Sequence, residues 1–272
     1  MLTSDDFADM AEHEDSVFIF PFVSAVTDDM APVSEGVAFS CSYRIGYGYH
    51  SAGLYYTSGE DASLISKNAD AFCTDGEQVY YYDTEQKQVF SFDGEQAEAY
   101  FDIPLIDDSP YYVDRMLANE DWILLVSSGE IYQYNRKTAE MSFHQTDSMN
   151  SLGNYPPVLY DDKLVLFSGI RNRLTTFDLV TGEEKNWDFY VEPYTMSLNL
   201  KISSALHGNY IYLSIYNLLD SWGKPFECTV KIHRQTDEMV VIDDEYYENL
   251  LCTDTALYGG KIHRMTKICE FE

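Results

Sequence analysis

The segment DGEQVYYY (75–82) joins a polar turn to a run of strand-forming residues. Asp and Gly accept the dihedral angles of tight turns, whereas Val and Tyr favour β-strands. The same order of turn and strand recurs in five further segments: SEGVAFS (34–40), NEDWILLV (119–126), DDKLVLFS (161–168), HGNYIYLS (207–214) and TDTALYG (253–259). The chain is therefore built from repeats of one turn-and-strand unit.

The spacing of these segments is regular. One apolar residue at the matching position of each segment serves as a marker, and the markers are Val37, Val79, Ile123, Val165, Ile211 and Leu257. Successive markers lie 42, 44, 42, 46 and 46 residues apart. A repeat of about 40–45 residues is typical of the blades of a β-propeller.

Each repeat divides into four short strands. In the second repeat these are AFCT (71–74), VYYY (79–82), VFSF (89–92) and EAYFD (98–102). Four antiparallel strands make one propeller blade. We therefore predict an all-β, six-bladed β-propeller of four-stranded antiparallel blades that spans residues 16–272, preceded by an acidic N-terminal segment over residues 1–15.

The sixth repeat is too short for four strands, because only 15 residues follow Leu257. The apolar segment SVFIF (16–20) can supply the missing outer strand. Such a splice joins the two ends of the chain in one sheet and removes an exposed edge. We predict that this N-terminal strand closes the ring.

LYYTSG (54–59) and VYYYD (79–83) resemble degenerate forms of the YWTD propeller motif, with Tyr in place of Trp. The rhythm of turn and strand is also similar to that of bacterial six-bladed propellers of unknown function near the TolB and YWTD families. This resemblance covers residues 16–272. It implies a propeller architecture and transfers no catalytic residue.

The charge of the chain restricts its partners. It has 46 Asp and Glu against 17 Lys and Arg, a formal net charge of −29. Such a charge repels nucleic acids and anionic lipid headgroups, and no run of 18 apolar residues is present to span a membrane. We predict a monomer that binds a protein, peptide or carbohydrate, without nucleic acid and without membrane insertion.

The sequence offers little support for catalysis or a metal site. The five cysteines are widely spaced without a CxxC pair, so they are expected to act as small hydrophobic residues in strands. The six histidines form neither HxH nor HExxH, and no GxSxG segment occurs. Tandem acids such as Asp107-Asp108 leave weak Ca²⁺ binding open, but no DxDxDG loop is present. We predict no catalytic residue and no cofactor.

The first residues, MLTSDDFADMAEHED (1–15), carry acids where a signal peptide has a basic end and an apolar run. As written, the sequence predicts a cytoplasmic protein. The alternative is an extracellular protein or a lipoprotein. Its sequence would look the same if an export signal had been removed.

Two connections between second and third strands are longer than the others. They are RIGYGYHSAG (44–53) in the first repeat and NLLDSWGKPFE (217–227) in the fifth, whereas the sixth is predicted to turn at Gly259-Gly260. Loops carry binding functions more often than strands do. The candidate ligand-binding residues in the two long connections are Arg44, Tyr47, Tyr49, His50 and Trp222.

Arginine is scarce in this acidic chain. Arg171 and Arg173 lie in the connection between the second and third strands of the fourth repeat. With Arg44 they could hold a carboxylate or phosphate of a ligand through bidentate hydrogen bonds. Arginines on such an acidic surface also pair commonly with neighbouring carboxylates, and this second reading stays open.

The C-terminal region repeats one string, as KIHRQT (231–236) and KIHRMT (261–266). In alignments of the repeats, His233 takes the place of Asn135 and Asp178. A position that accepts Asp, Asn or His is typical of a turn, where a short polar side chain bonds to nearby backbone. We predict that His233 ends a third strand and starts a turn, and that His263 occupies the matching position in the last blade.

The sequence therefore predicts a non-catalytic binding module that recognises a protein, peptide or glycan on the loop face of a propeller. The alternative is a propeller hydrolase or lyase with carboxylates and histidines gathered at the central channel. An enzyme needs titratable groups from several blades that converge and have shifted pKa values, whereas a binding module needs exposed aromatic residues on its long connections.

Overall fold

The computed structural model describes residues 25–45, 48–59, 61–103, 113, 115–127, 130–146, 157–168, 173–188, 201–219, 225–261 and 264–271. The chain divides into two compact units, residues 1–120 and 121–272. In the described ranges the structure contains six antiparallel sheets, and in each of them neighbouring strands follow one another along the chain. No helix of the described residues is long and apolar enough to cross a bilayer.

Sheets 1 and 2 belong to the first unit. Sheet 1 contains β1 (Ala25–Val33), β2 (Gly36–Ile45), β3 (Gly48–Thr57) and β4 (Ser63–Ser66). Sheet 2 contains β5 (Ala69–Thr74), β6 (Val79–Asp83), β7 (Gln88–Phe92) and β8 (Ala97–Asp102). Sheet 3 contains β9 (Arg115–Ala118), β10 (Trp122–Ser127), β11 (Glu130–Asn135) and β12 (Glu140–Gln145).

The remaining sheets belong to the second unit. Sheet 4 contains β13 (Val158–Tyr160), β14 (Lys163–Ser168), β15 (Arg173–Asp178) and β16 (Glu184–Asp188). Sheet 5 contains β17 (Lys201–His207), β18 (Tyr210–Leu219), β19 (Pro225–His233) and β20 (Met239–Asp243). Sheet 6 contains β21 (Asn249–Cys252), β22 (Ala256–Lys261) and β23 (Arg264–Glu270).

The repeat predicted from the sequence is confirmed strand by strand. Each of the six apolar markers lies in the second strand of a different sheet. In β6 and β10 every residue is buried, so these two second strands are covered on both faces. A strand with two covered faces needs a continuous apolar run, which explains why WILLV and VYYY lack alternation.

The cores lie between neighbouring sheets within each unit. In the first unit Val33 and Leu54 of sheet 1 pack against Val79 and Phe92 of sheet 2. In the second unit one cluster joins sheets 4 and 5, and its buried members are Tyr160, Val165, Leu174, Ile211, Leu213, Ile215, Cys228, Val230 and Ile232. Adjacent sheets are thus held face to face by the apolar surfaces that the alternation of their third strands supplies.

One five-residue turn recurs at strand ends. In the turn after β11, the Asn135 side-chain oxygen accepts the N–H groups of Lys137 and Thr138 at 2.9 and 3.0 Å. The N–H of Ala139 donates to the Asn135 carbonyl at 2.9 Å, and Ala139 has a left-handed φ of 56°. The same bonds and the same left-handed fifth residue occur in three further turns, 83–87, 178–182 and 233–237.

The prediction that the last repeat is incomplete agrees with the described strands. Sheet 6 has three strands in the described part of the chain, and β23 is its last. The segment SVFIF (16–20) lies outside the described residues. Its role as the fourth strand stays a prediction.

Tyrosine is buried more deeply than its amphipathic ring predicts. Tyr80, Tyr82, Tyr132 and Tyr247 are almost fully buried. Such positions are tolerated where the hydroxyl finds a partner inside the protein: the Tyr80 hydroxyl lies 3.0 Å from an Asp75 carboxylate oxygen. Burial raises the pKa of Tyr247 to about 12, and the neighbouring carboxylate of Asp243 adds to this effect.

The predicted turn at Gly259-Gly260 is wrong, because both glycines lie inside β22. The ring of Tyr247 covers Gly259 so closely that an added Cβ would lie 2.2 Å from a ring carbon. At Gly260 the nearest atom would be the flexible Met265 sulfur at 3.3 Å. Gly259 therefore leaves the space that the buried ring of Tyr247 occupies, and β22 continues to Lys261.

Candidate functional site

Two hairpins are longer than the other second-to-third-strand hairpins that the structure describes. β2 and β3 have 10 residues each, and β18 and β19 have 10 and 9. The second and third strands of sheets 2, 3 and 4 have 5 or 6 residues. We call these two hairpins arm 1 (residues 36–57) and arm 2 (residues 210–233).

The prediction of long loops at 44–53 and 217–227 is wrong, because all the described residues of these two ranges lie in strands. In arm 1 the pairing continues to Ile45 and Gly48. In arm 2 it continues to Leu219 and Pro225. Cross-strand pairing has extended each hairpin through glycine and polar residues that read locally as loop.

Each arm carries an irregularity in its register. In arm 1 the pairing shifts between Cys41 and Ser42. In arm 2 it shifts between Ile215 and Leu218. A bulge bends a hairpin and increases its local twist. In arm 2 the shift coincides with the end of the pairing with β17, at Tyr216, whereas in arm 1 the pairing with β1 continues past the shift to Tyr43.

Three of the predicted ligand-binding residues lie on arm 1. Arg44 and Tyr49 are direct cross-strand partners, and His50 pairs with Tyr43 one position further on. Arg173 is half-buried at the start of β15, where it pairs with Asp188. Tyr47, Arg171 and Trp222 lie outside the described residues.

The base of arm 2 contains a buried polar cluster that the sequence did not reveal. Ser214 and Thr229 are completely buried, with their side-chain oxygens 2.9 Å apart. The Tyr247 N–H donates to Ser214 Oγ at 2.7 Å, and the Ser203 hydroxyl donates to the Tyr247 carbonyl at 2.6 Å. Thr229 Oγ1 also lies 2.8 Å from the Glu245 carbonyl. These bonds attach β18 and β19, at Ser214 and Thr229, to the link between sheets 5 and 6. The part of arm 2 beyond Ser214 and Thr229 therefore extends from a rigid base.

The described histidines have structural surroundings. The ring of His207 stacks on Phe271 with a centroid distance of 3.9 Å. His144 packs on Phe177 at 4.2 Å and places Nε2 3.3 Å from a carboxylate oxygen of Glu184. Among the described residues, no group of three or more His, Cys, Asp or Glu side chains is arranged to hold a metal ion.

The prediction for His233 is confirmed. It is the last residue of β19, and its Nδ1 accepts the N–H groups of Gln235 and Thr236, each at 3.3 Å. Asp178 and Asn135 make the same two bonds in their own sheets. His233 therefore starts a turn, as Asp and Asn do elsewhere in the chain.

We expect His233→Asp to leave the free energy of unfolding within about 0.5 kcal/mol of the wild type, because Asp178 fills the equivalent position. His233→Ala should lose about 1 kcal/mol, since two backbone donors of the turn lose their acceptor. Urea unfolding followed by circular dichroism measures both values. An Ala variant as stable as the Asp variant would contradict the turn-starting role.

The equivalence of the two KIHR strings is wrong. KIHRMT joins β22 to β23, the second and third strands of sheet 6, whereas KIHRQT follows a third strand. The residue that matches His233 is Glu270, the last residue of β23. The N–H of Arg234 donates to Asn209, and the N–H of Phe271, after Glu270, donates to Thr255 in the same way, each at 2.8 Å. His263 itself lies outside the described residues.

Solved structures show what fold this arrangement of sheets belongs to. The chain is similar to Citrobacter koseri AztD, with a TM-score of 0.53 at 11% identity over 86% of this chain and 63% of that one. It is also similar to the WD40 domain of Neurospora crassa Pan2, with a TM-score of 0.52 at 9% identity over 86% of this chain and 72% of that one. The chain thus spans less than two thirds of AztD.

These likenesses show the fold alone, and the predicted fold class is confirmed: the chain is an all-β, six-bladed propeller. No protein-family model and no curated protein matches the sequence. The YWTD and TolB resemblance is therefore a hypothesis about the subtype of propeller. Function has to be argued from the surfaces of this chain.

Proposed function

We propose that this chain is a non-catalytic binding module that recognises a protein, peptide or glycan through its two arms. The observation that carries the proposal is the extension of β2–β3 and β18–β19 beyond the length of the other described hairpins. Extra paired strand lengthens a hairpin beyond what a regular blade of this chain requires. A rigid scaffold that presents such extensions is a common design of binding proteins.

The chemistry of the arms supports an amphipathic ligand. Tyr47, Tyr49 and His50 follow one another closely in the sequence of arm 1, and Trp222 belongs to the sequence segment 217–227. Aromatic residues with polar edges dominate the energetics of protein interfaces, and they also stack on sugar rings. Arg44, the cross-strand partner of Tyr49, adds a donor for a carboxylate or sulfate group.

The buried cluster at Ser214 and Thr229 supports the same proposal for arm 2. Because its hydrogen bonds hold the base of the arm, little conformational freedom remains to be lost there on binding. The alternative of a hydrolase or lyase at the central channel stays a hypothesis from the sequence. Within the described residues, no group of three or more His, Cys, Asp or Glu side chains is arranged to hold a metal ion for such a reaction.

The test is a comparative pull-down from native lysate, read by mass spectrometry. Tyr49→Ala combined with Trp222→Ala should reduce recovery of specific partners by at least about tenfold, because aromatic anchors at interfaces are worth about 2 kcal/mol or more each. Tyr100→Ala on β8 is the matched control, since it removes an exposed tyrosine from another strand. Equal recovery by the double variant and the control would overturn the proposal.

A further inference from the structure

β20 (Met239–Asp243) is the outer strand of sheet 5, and its surface differs from that of the outer strands of sheets 2, 3 and 4; β4 of sheet 1 is likewise uncharged. Within the described part of the chain it pairs with β19 alone, so one row of its backbone N–H and C=O groups has no strand partner there. An open edge of this kind can accept an added strand.

The edge of β20 is apolar. Val240 and Val241 are 43% and 52% exposed, and they lie next to each other in the strand. The outer strands of sheets 2, 3 and 4 carry charged residues instead: Glu98 and Asp102 in β8, Glu140 in β12, and Glu184 and Lys185 in β16. Charges protect edge strands from pairing with other chains. In β20 the only charge is Asp243 at its end, and its carboxylate accepts hydrogen bonds from the Tyr247 hydroxyl and the Glu245 N–H.

A cleft of about 280 Å³ lies beside the turn that leads into β20. Its lining consists of Lys163, Thr176, Asp178, Glu183, Glu184, Lys185 and Asp237. Asp237 lies two residues before the strand, so a segment added to β20 would end near this cleft. Four carboxylates and two lysines give the lining a net charge of −2.

Both lysines of the cleft are already engaged. Lys163 Nζ lies 2.7 Å from each carboxylate oxygen of Asp237. Lys185 Nζ donates to the backbone carbonyls of Thr236 and Asp237, each at 3.1 Å. Asp178 accepts two N–H groups of its own turn, and Glu184 lies 3.3 Å from His144 Nε2. Glu183, which is exposed, is therefore the carboxylate best placed to attract a cation from outside.

We propose that β20 is a docking edge for an extended segment of a partner protein that has alternating apolar residues and a Lys or Arg at the end nearest the cleft. The backbone of the segment would continue the ladder of sheet 5, and its alternating apolar side chains would lie beside Val241 on one face, because Val240 points to the opposite face. Its cationic end would enter the cleft. A second copy of this chain fits the edge poorly, because two chains of net charge −29 repel each other.

The test uses the full chain and a capped, fluorescently labelled peptide of sequence Lys-Thr-Val-Thr-Val-Thr-Lys. Fluorescence anisotropy measures its binding, and hydrogen exchange shows which backbone amides it protects. We expect binding that slows exchange in residues 239–243. The same peptide with Glu in place of both Lys residues should bind at least about tenfold more weakly, because the negatively charged cleft repels the carboxylates of the peptide.

Val241→Lys should weaken binding of the basic peptide by about tenfold or more, because it places a charge on the docking edge. Leu64→Lys is the matched control, since Leu64 is an apolar residue of the outer strand β4 with 43% exposure.

Glu183→Gln should weaken binding of the basic peptide and leave binding of the Glu peptide unchanged or slightly stronger. Tyr49→Ala with Trp222→Ala should leave peptide binding unchanged, which separates this edge from the arms.

Three results would overturn the proposal. One is a basic peptide that fails to bind, or that binds without slowing exchange in residues 239–243. Another is equal loss of binding in Val241→Lys and Leu64→Lys. The third is a concentration-dependent dimer of the free chain that Val241→Lys abolishes in sedimentation velocity, because a second copy would then be the occupant of the edge.

Discussion

A chain that lacks residues 1–20 should melt about 10 °C below the full chain. The deletion removes SVFIF (16–20), the segment predicted to complete sheet 6, whose described part has three strands. Each apolar side chain of such a strand contributes about 1.5–3 kcal/mol when fully buried. After partial exposure and ordering entropy are allowed for, roughly 4 kcal/mol remains, which corresponds to a shift of about 10 °C for a chain of this size.

Deletion of residues 1–15 is the matched control, because it removes the acidic segment and keeps SVFIF. This shorter deletion should melt within about 2 °C of the full chain, as loss of exposed polar residues costs little. Differential scanning calorimetry at one protein concentration measures all three chains. If both deletions have the same melting temperature, the sixth blade does not use this segment as its outer strand.

Gly259→Ala should lower the free energy of unfolding by about 3 kcal/mol, because overpacking of a rigid buried site is costly. Its new Cβ would lie 2.2 to 2.8 Å from three ring carbons of Tyr247. The ring cannot move away freely, since its hydroxyl lies 3.0 Å from Asp243 and its backbone N–H donates to Ser214. The expected fall in melting temperature is roughly 8 °C.

Gly260→Ala is the control for this substitution, because it makes the same change one residue along β22. There the nearest atom is the Met265 sulfur at 3.3 Å, which a side-chain rotation can withdraw. We expect less than about 1 kcal/mol of destabilisation from this variant. Equal losses in the two variants would show that the strand, rather than the ring of Tyr247, sets the requirement for glycine.

The repeat could be predicted from the sequence because its signals are local. Turn residues such as Asn135 and Asp178 act on N–H groups two and three residues away, and the buried runs are contiguous in the chain. The ends of the arms are set differently. The pairing of Arg44 with Tyr49 depends on a partner strand that overrides the loop-like glycines between them.

Other features have no local signature at all. Tyr247 lies over Gly259, which is 12 positions further along the chain. This contact forms because the link between sheets 5 and 6 packs on β22. The polar contact of Ser214 with Thr229 appears in the sequence only as two small hydroxyl residues inside apolar strands. The sequence assigned KIHRMT to the wrong part of the blade for a similar reason. It repeats the letters of KIHRQT, but Lys261 ends a second strand, whereas His233 ends a third strand.

The register shifts at Cys41/Ser42 and Ile215/Leu218 have a consequence for engineering. Beyond them, the pairing with the first strand of the sheet ends at Tyr43 in arm 1 and at Tyr216 in arm 2, so a change of length past these residues need not slip the strands below. The arms can then be treated as exchangeable cassettes on a constant scaffold. Hairpins of other sequence, grafted beyond these two points, would turn this propeller into a platform for selecting new binders.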